Sequence, residues 1–290
     1  MRLLGLWLVA HSPAFAQEDA PSADVPDIGQ MPQTIRDVAI GVMNEPLVVR
    51  VDAVSASMLD RPYVNDPLGE GVAPDTDPLV RYDAFDCLTY VEEVLALSLA
   101  PDPAHAAEVR LSLRYGDNPP EYRYRHHFME LQWIPSAVEK GWLRETTQEY
   151  GPVQTYTRDV TPATYSAWRS RSSFALTDEE LPYGTMVLNY LSLEDALAAV
   201  DDIRPGSVVM TVREDRSYNP LWISHVSFVV AGDRPTIRHA SRMRSVMETR
   251  DQGLAWYIEQ LMAYKNWKAV GIAIYEPLEN GPRRIIVEEP

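Results

Sequence analysis

The sequence of 290 residues has only one cysteine, Cys87, and this scarcity limits the chemistry open to the chain. A single cysteine cannot form a disulfide within its own chain, and it cannot supply the paired thiolates of a structural zinc site. What remains is either a small apolar residue packed in a core or a reactive thiol. Composition alone leaves both alternatives open.

Positive charge is also scarce, with 26 lysine and arginine residues against 42 aspartate and glutamate residues and a net charge of −16. Such an acidic chain is poorly suited to bind nucleic acid or anionic lipid. The sequence lacks a glycine-rich phosphate loop, a Rossmann fingerprint and an HExxH motif. His126 and His127 with Glu130 are conceivable metal ligands, but their spacing matches no common metal motif. We therefore expect no metal and no cofactor.

Long apolar runs are missing except at the start, MRLLGLWLVAHSPAFA. A positive charge at Arg2, an apolar stretch and the small residues Ala14 and Ala16 follow in the order of a secretory signal peptide. The alternative is an ordinary hydrophobic helix, since the run is too short to span a bilayer stably. The sequence therefore predicts a signal peptide over residues 1–16, cleavage before Gln17, and export to the periplasm without stable membrane insertion.

The rest of the chain changes character near residue 150. Residues 17–33 are acidic and contain prolines, which predicts a disordered leader, and residues 34–290 read as a single domain. Apolar spacing predicts helices over 34–44, 49–59, 85–100, 104–116, 128–142 (bent or divided by its proline) and 252–265. Short β-branched runs predict antiparallel strands over 153–160, 206–212, 223–230, 236–241 and 270–277, while 175–202 reads as polar with a helical second half. Helices first and strands later predict an α+β fold.

Cys87 lies where the third helix should begin, in FDCLTYVEEV. Asp86 or Asp83 is placed to cap that helix. The field at a helix N-terminus lowers the pKa of a thiol, and a thiolate is the reactive form. A loop over residues 61–84, rich in proline, glycine and aspartate, precedes the cysteine, and long loops are often functional.

Two histidines, His225 in ISHVSFVV and His239 in TIRHAS, lie on predicted strands separated by a short turn. Adjacent antiparallel strands can place both rings on one face, where one imidazole acts as a base and the other orients it. Each histidine alone is more typical of an ordinary strand residue. Together with a helix-start cysteine, they predict a Cys-His-His triad.

The ordered motifs FDC, SHVSFVV and RHAS resemble those of the papain-like cell-wall cysteine hydrolases of the NlpC type. The chain is still more similar to the N-acetylmuramoyl-L-alanine amidase-like family, formerly a domain of unknown function. That closer likeness rests on RPYVNDPLGEG before the cysteine, on FDCLTYVEEVLALS, and on Arg125, His127, Phe128 and Trp133. It extends over most of residues 50–275. The resemblance implies a papain-like (NlpC-type) fold with N-terminal helices packed on a C-terminal antiparallel sheet.

By position, the resemblance implies that Cys87 is the nucleophile, His225 the base and His239 its orienter. It also implies that Tyr63 lines the site. The same likeness suggests that Arg125 and His127 border the substrate cleft, and the alternative for these two is a helix cap and surface charge.

Two positions depart from the family pattern: Ser207 stands where relatives commonly have aspartate, and Ser227 where they often have glycine. We expect little effect of the first on the chemistry and slight crowding of the cleft from the second.

The resemblance implies a cysteine amidase that cleaves the amide between N-acetylmuramic acid and L-alanine, acting as a monomer on peptidoglycan fragments or muramyl peptides. One alternative is an endopeptidase that cuts within the stem peptide. A second is a peptidoglycan-binding domain without activity, in which Cys87 only packs. The triad by itself suits any unactivated amide and does not separate the two enzymes.

Overall fold

The computed structural model describes residues 31–243 and 246–279. The predicted signal peptide, residues 1–16, and residues 17–30 of the predicted leader lie outside the described residues. Met31 packs in the core and Gln33 begins the first helix, so folded structure reaches back at least to Met31, ahead of the boundary predicted at residue 34. In the described part of the chain, no helix is long and apolar enough to cross a membrane.

Helices fill most of the first half of the chain, as predicted. They are α1 (Gln33–Val42), α2 (Leu47–Ala56), α3 (Cys87–Leu99), α4 (Ala106–Tyr115) and α5 (Ile134–Glu139), followed later by α6 (Pro162–Ala167), α7 (Leu193–Ala198) and α8 (Leu254–Ala263). The segment predicted to be one helix divided by its proline is a π-helix, Met129–Trp133, that runs into α5.

The strands form one antiparallel sheet. They are β1 (Leu143–Glu145), β2 (Val153–Val160), β3 (Gly184–Ser192), β4 (Val208–Arg213), β5 (Ile223–Val230), β6 (Thr236–Met243), β7 (Val246–Gly253) and β8 (Ala269–Pro277). The spatial order is β2-β3-β8-β4-β5-β6-β7, and β1 pairs with β8 off this path. The predicted α+β class is confirmed.

The sheet has an apolar core on each of its faces. On one face, Val226 and Phe228 of β5 join the core that contains α3, and on the other face Val229 joins the core formed with α7 and α8. Helix α3 is buried from Thr89 to Leu99, as expected for a helix surrounded by protein. The candidate nucleophile therefore begins the central helix of the larger core.

The prediction for residues 175–202 missed strand β3, and the predicted helical second half is present only as a short helix, α7. Met186, Leu188 and Tyr190 alternate inward along β3, a period of two that the surrounding polar residues obscured. Strands β1 and β7 were also missed, because β1 is only three residues long and β7 is a largely polar strand at the edge of the sheet.

Candidate active site

Helix α3 begins at Cys87 because Asp86 caps it, as predicted. Asp86 Oδ1 accepts a hydrogen bond from the backbone N–H of Thr89 at 2.8 Å, and Thr89 Oγ1 accepts one from the N–H of Asp86 at 3.0 Å. This reciprocal pair is a capping box, which fixes where the chain turns into helix. The thiol therefore occupies the first helical position.

The sulfur of Cys87 lies where β5 and β6 separate. Both strands have eight residues, but their ladder covers only Phe228 to Val230 of β5. Closer to the start of β5, the backbone N–H of Val226 interacts with the Cys87 sulfur instead of with β6. Val226 directly follows His225, so the thiol lies beside the strand position that carries this imidazole.

The two predicted histidines meet, as their strand spacing indicated. His225 Nε2 lies 2.6 Å from His239 Nδ1, and the rings are nearly perpendicular with centroids 4.8 Å apart. His239 is almost fully buried, and its other ring nitrogen, Nε2, lies 3.0 Å from Gln252 Oε1. Tyr257 of α8 packs beside both rings, at 6.1 Å from His225 and 5.6 Å from His239.

The environment keeps all three groups uncharged at neutral pH. Burial, with a smaller effect of the neighbouring Asp86 carboxylate, raises the pKa of the Cys87 thiol to about 12. Burial lowers the pKa of His239 to about 4 and holds the pKa of His225 well below its usual value. We expected the helix start to lower the pKa of the thiol, and this was wrong because removal of water outweighs the nearby backbone N–H groups.

Tyr63 is fixed between the start of α3 and strand β7. Its backbone N–H donates to Met247 O at 2.8 Å, and its backbone forms a parallel bridge with Phe85. The side chain is partly buried, and its pKa is raised by burial and by its neighbours Cys87 and Asp86. The structure thus places Tyr63 close to the thiol. The direct thiol–imidazole contact and the catalytic roles stay predictions.

Arg125 is buried in a group of carboxylates. Its guanidinium donates to both oxygens of Glu70 at 2.8 and 2.6 Å and to Asp75 Oδ2 at 2.7 Å. Only 11% of its side chain is exposed, so this contact is more than surface charge. Arg125 therefore ties the loop over residues 61–84 to the segment before the π-helix. Glu70 also lines a cavity of about 400 Å³ bordered by residues 72–74, 120–123, 175–176 and 180.

His127 is packed among aromatic side chains. Its Nε2 lies 2.7 Å from Tyr122 O, and its ring meets Phe174 edge to face at 4.8 Å. Burial lowers the pKa of His127 to about 4. Arg125 and His127 thus make contacts inside the protein, and their contact with substrate stays a prediction.

Ser227 does not crowd the cleft, contrary to our expectation. Its side chain is almost fully buried, and its hydroxyl donates to Val209 O within the sheet at 3.1 Å. The side chain of Ser227, which stands where relatives often have glycine, is therefore accommodated between β4 and β5.

Sequence reasoning missed two residues that contact the histidine rings, and it considered Glu130 only as a conceivable metal ligand. Gln252 and Tyr257 contact the rings from β7 and α8, and a single sequence offers no local signal for either contact. Glu130 accepts hydrogen bonds from the backbone N–H groups of Trp222 and Ile223 at 2.6 and 2.5 Å, which fixes the start of β5. Among the described residues, no group of three or more His, Cys, Asp or Glu side chains is arranged to hold a metal.

Comparisons with known proteins agree with this architecture. A family model described as AmiA-like, N-acetylmuramoyl-L-alanine amidase-like, matches residues 53–263. A Legionella pneumophila protein of the DUF1460 family has a TM-score of 0.72 at 22% identity, with 85% of this chain and 94% of that one covered. An N-acetylmuramoyl-L-alanine amidase from Bacteroides uniformis has a TM-score of 0.63 at 19% identity, with 80% and 98% covered. No curated protein matches the chain in sequence.

Proposed function

The chain belongs to the N-acetylmuramoyl-L-alanine amidase-like family, and from this premise we propose that it hydrolyses the amide joining N-acetylmuramic acid to L-alanine in peptidoglycan. Cys87 is the nucleophile, His225 the base and His239 its orienter, on a papain-like fold of the NlpC type. The observation that supports the proposal is the 2.6 Å contact between two uncharged imidazoles, together with the interaction of the helix-start cysteine with Val226, the residue after His225.

The reaction begins with a neutral thiol, so deprotonation accompanies attack. The S–H bond of Cys87 breaks as its proton moves to Nδ1 of His225, and the sulfur bonds to the lactyl carbonyl carbon. The backbone N–H of Cys87 is one donor to the resulting oxyanion. The His225 imidazolium then gives its proton to the leaving amine of L-alanine, and the C–N bond breaks. Water attacks the thioester with His225 as base, which releases the lactyl carboxylate and returns the thiol.

The roles of the two imidazoles differ, and so should the effects of removing them. His225→Ala removes the proton acceptor, whereas His239→Ala removes only its support, so we expect the larger fall in kcat from His225→Ala. Equal losses would contradict this division of labour. Tyr63 lines the cleft beside the thiol, and Arg125 and His127 border it farther away.

A muramyl peptide tests the reaction directly. Purified protein should release a stem that begins with L-alanine together with a free lactyl carboxylate, as read by product mass. Cys87→Ala and Cys87→Ser should abolish the release while circular dichroism stays unchanged. Release of a sugar that still carries L-Ala-D-Glu would establish a stem-peptide endopeptidase instead. Binding of peptidoglycan without any cleavage would establish a non-catalytic binding domain.

The cell-wall substrate of the family suggests a protein that acts outside the cytoplasm. We place it in the periplasm as a monomer, with residues 1–16 as a signal peptide, followed by a leader and a single catalytic domain. Terminal sequencing of the exported protein should begin at Gln17. A stable exported product that retains Met1 would exclude this signal.

A further inference from the structure

A side-chain amide on β7 extends the pair of histidines into a longer hydrogen-bonded chain. Gln252 is on the edge strand next to β6, two residues along from the direct cross-strand partner of His239, which is Arg250. Residues two apart on a strand share a face, so Gln252 reaches His239 diagonally. The contact joins Gln252 Oε1 to His239 Nε2 at 3.0 Å.

The orientation of the Gln252 amide follows from its second contact. Gln252 Nε2 lies 3.5 Å from the thioether sulfur of Met243. A thioether has no proton to donate and accepts only, so the amide nitrogen must face Met243 and the amide oxygen must face His239. The reversed amide would set an oxygen against the sulfur and lose that hydrogen bond, and its nitrogen would then donate to His239 Nε2 in the opposite tautomer.

The amide oxygen in turn decides which nitrogens of the two imidazoles carry protons. An amide oxygen only accepts, so His239 Nε2–H donates to it. A neutral imidazole has one donor and one acceptor, so His239 Nδ1 accepts from His225 Nε2–H across the 2.6 Å contact. The remaining nitrogen of His225, Nδ1, is then left with a lone pair.

We propose that Gln252 is a positioning residue that sets one tautomer through both imidazoles, so that His225 presents an unprotonated Nδ1 to the thiol. The inference deepens the function proposed above and relies on it for the role of His225. Without Gln252, both tautomers of His239 become available. In the wrong tautomer, His239 Nδ1–H donates to His225 Nε2, and His225 Nδ1 then carries a proton and cannot act as a base.

The groups around this chain are compatible with such a role. Arg250 and Arg213 each face one of the rings and disfavour a charged imidazole, while Asp251 acts in the opposite sense on His239. Tyr257 packs against both rings, and its hydroxyl is 2.7 Å from Thr211 Oγ1. We therefore assign the selection of the His239 tautomer to the side-chain amide of Gln252.

Long-range proton–nitrogen NMR correlation of the imidazoles tests the tautomer directly at neutral pH. In the wild-type protein, we expect His239 to be protonated at Nε2 and unprotonated at Nδ1. Gln252→Leu should give mixed tautomers, and Gln252→Glu, whose carboxylate accepts as the amide oxygen does, should restore the original one. The exposed Gln260→Leu in α8 is the matched control. A wild-type His239 protonated at Nδ1 would overturn the inference, and this result does not depend on the substrate.

Steady-state kinetics of the Gln252 variants provide a second test. Gln252→Leu should lower kcat about 10- to 100-fold with KM little changed, the range expected for a group that orients a catalytic histidine. Gln252→Glu should recover most of kcat and move the acidic limb of the pH profile upward, because a carboxylate stabilises the imidazolium. Unchanged kcat and unchanged nitrogen shifts in Gln252→Leu would exclude the role. A wild type that fails to cleave muramyl peptides would refute the proposed reaction while the NMR still decides the tautomer.

Discussion

Glu130 is a buried carboxyl group next to strand β5, which carries the proposed base His225, and its effect on stability can be measured. Its carboxylate is 3% exposed, and one oxygen accepts the backbone N–H groups of Trp222 and Ile223. The other oxygen, Oε2, is buried and finds no hydrogen-bond partner among the residues that the structure describes. Burial raises the pKa of Glu130 from 4.5 to about 7. We consider the substitution Glu130→Gln, which keeps the shape and removes the charge.

Glu130 binds its proton more tightly in the folded state than in the unfolded state, and this difference makes its contribution to stability depend on pH. Between pH 4.5 and about 7, folded Glu130 is protonated and unfolded Glu130 is not, so this residue makes the free energy of unfolding fall as pH rises. The shift corresponds to about 3 kcal/mol, since each pKa unit is worth about 1.4 kcal/mol. Histidines with lowered pKa values, such as His225 and His239, act in the opposite direction, so only the difference between variant and wild type isolates Glu130.

Urea unfolding followed by tryptophan fluorescence between pH 5 and pH 8 gives that difference. We expect Glu130→Gln and wild type to have similar stability near pH 5 and the variant to be more stable by up to about 3 kcal/mol near pH 8. The exposed Glu139→Gln on α5 controls for the loss of one negative charge. A variant that is less stable than wild type at pH 8 would show that the ionised carboxylate is the favoured form, and the argument would fail.

Two further predictions concern the thiol and the buried arginine. Because the pKa of Cys87 is raised to about 12, its alkylation by iodoacetamide should keep accelerating up to at least pH 10, whereas a plateau near pH 7 would indicate a preformed thiolate. Arg125→Met leaves the carboxylates of Glu70 and Asp75 buried without their partner and should cost about 3–5 kcal/mol of unfolding free energy. The exposed pair of Arg123 with Glu121 is the control, and Arg123→Met should cost about 0–1 kcal/mol; equal losses in the two variants would contradict the argument.

The parts of the site that the sequence predicted are those set by local rules. The start of α3 depends on Asp86 and Thr89, which are three residues apart and cap the helix together. The meeting of His225 and His239 depends on the alternation of side chains along two strands joined by a short turn. Both rules act over a few residues, so a single sequence contains them.

The parts that were missed depend on contacts between distant segments. Gln252 lies on a polar edge strand, where no apolar alternation marks the face that it shares with His239. Arg125 stands in a run of polar and charged residues typical of a surface, yet it is buried because a loop some 50 residues earlier brings Glu70 and Asp75 to it. The raised pKa of Cys87 likewise depends on what covers the helix start, which the sequence around the cysteine does not specify.

Because the resting thiol and imidazoles are uncharged, the proposed reaction depends strongly on how the base is positioned. A preformed thiolate–imidazolium pair would place two charges in a buried environment, where loss of hydration works against both. A thiol with a raised pKa and an imidazole with a lowered pKa favour the neutral forms of Cys87 and His225, so in the proposed reaction the barrier depends on how well Nδ1 of His225 is aligned to take the proton during attack. His239 and, in our proposal, Gln252 hold that alignment through two hydrogen bonds that carry no net charge. The fold thus avoids the free-energy cost of a buried ion pair. In the proposed reaction, the rate of hydrolysis then depends on the tautomer of His239, which supports the base and does not itself react.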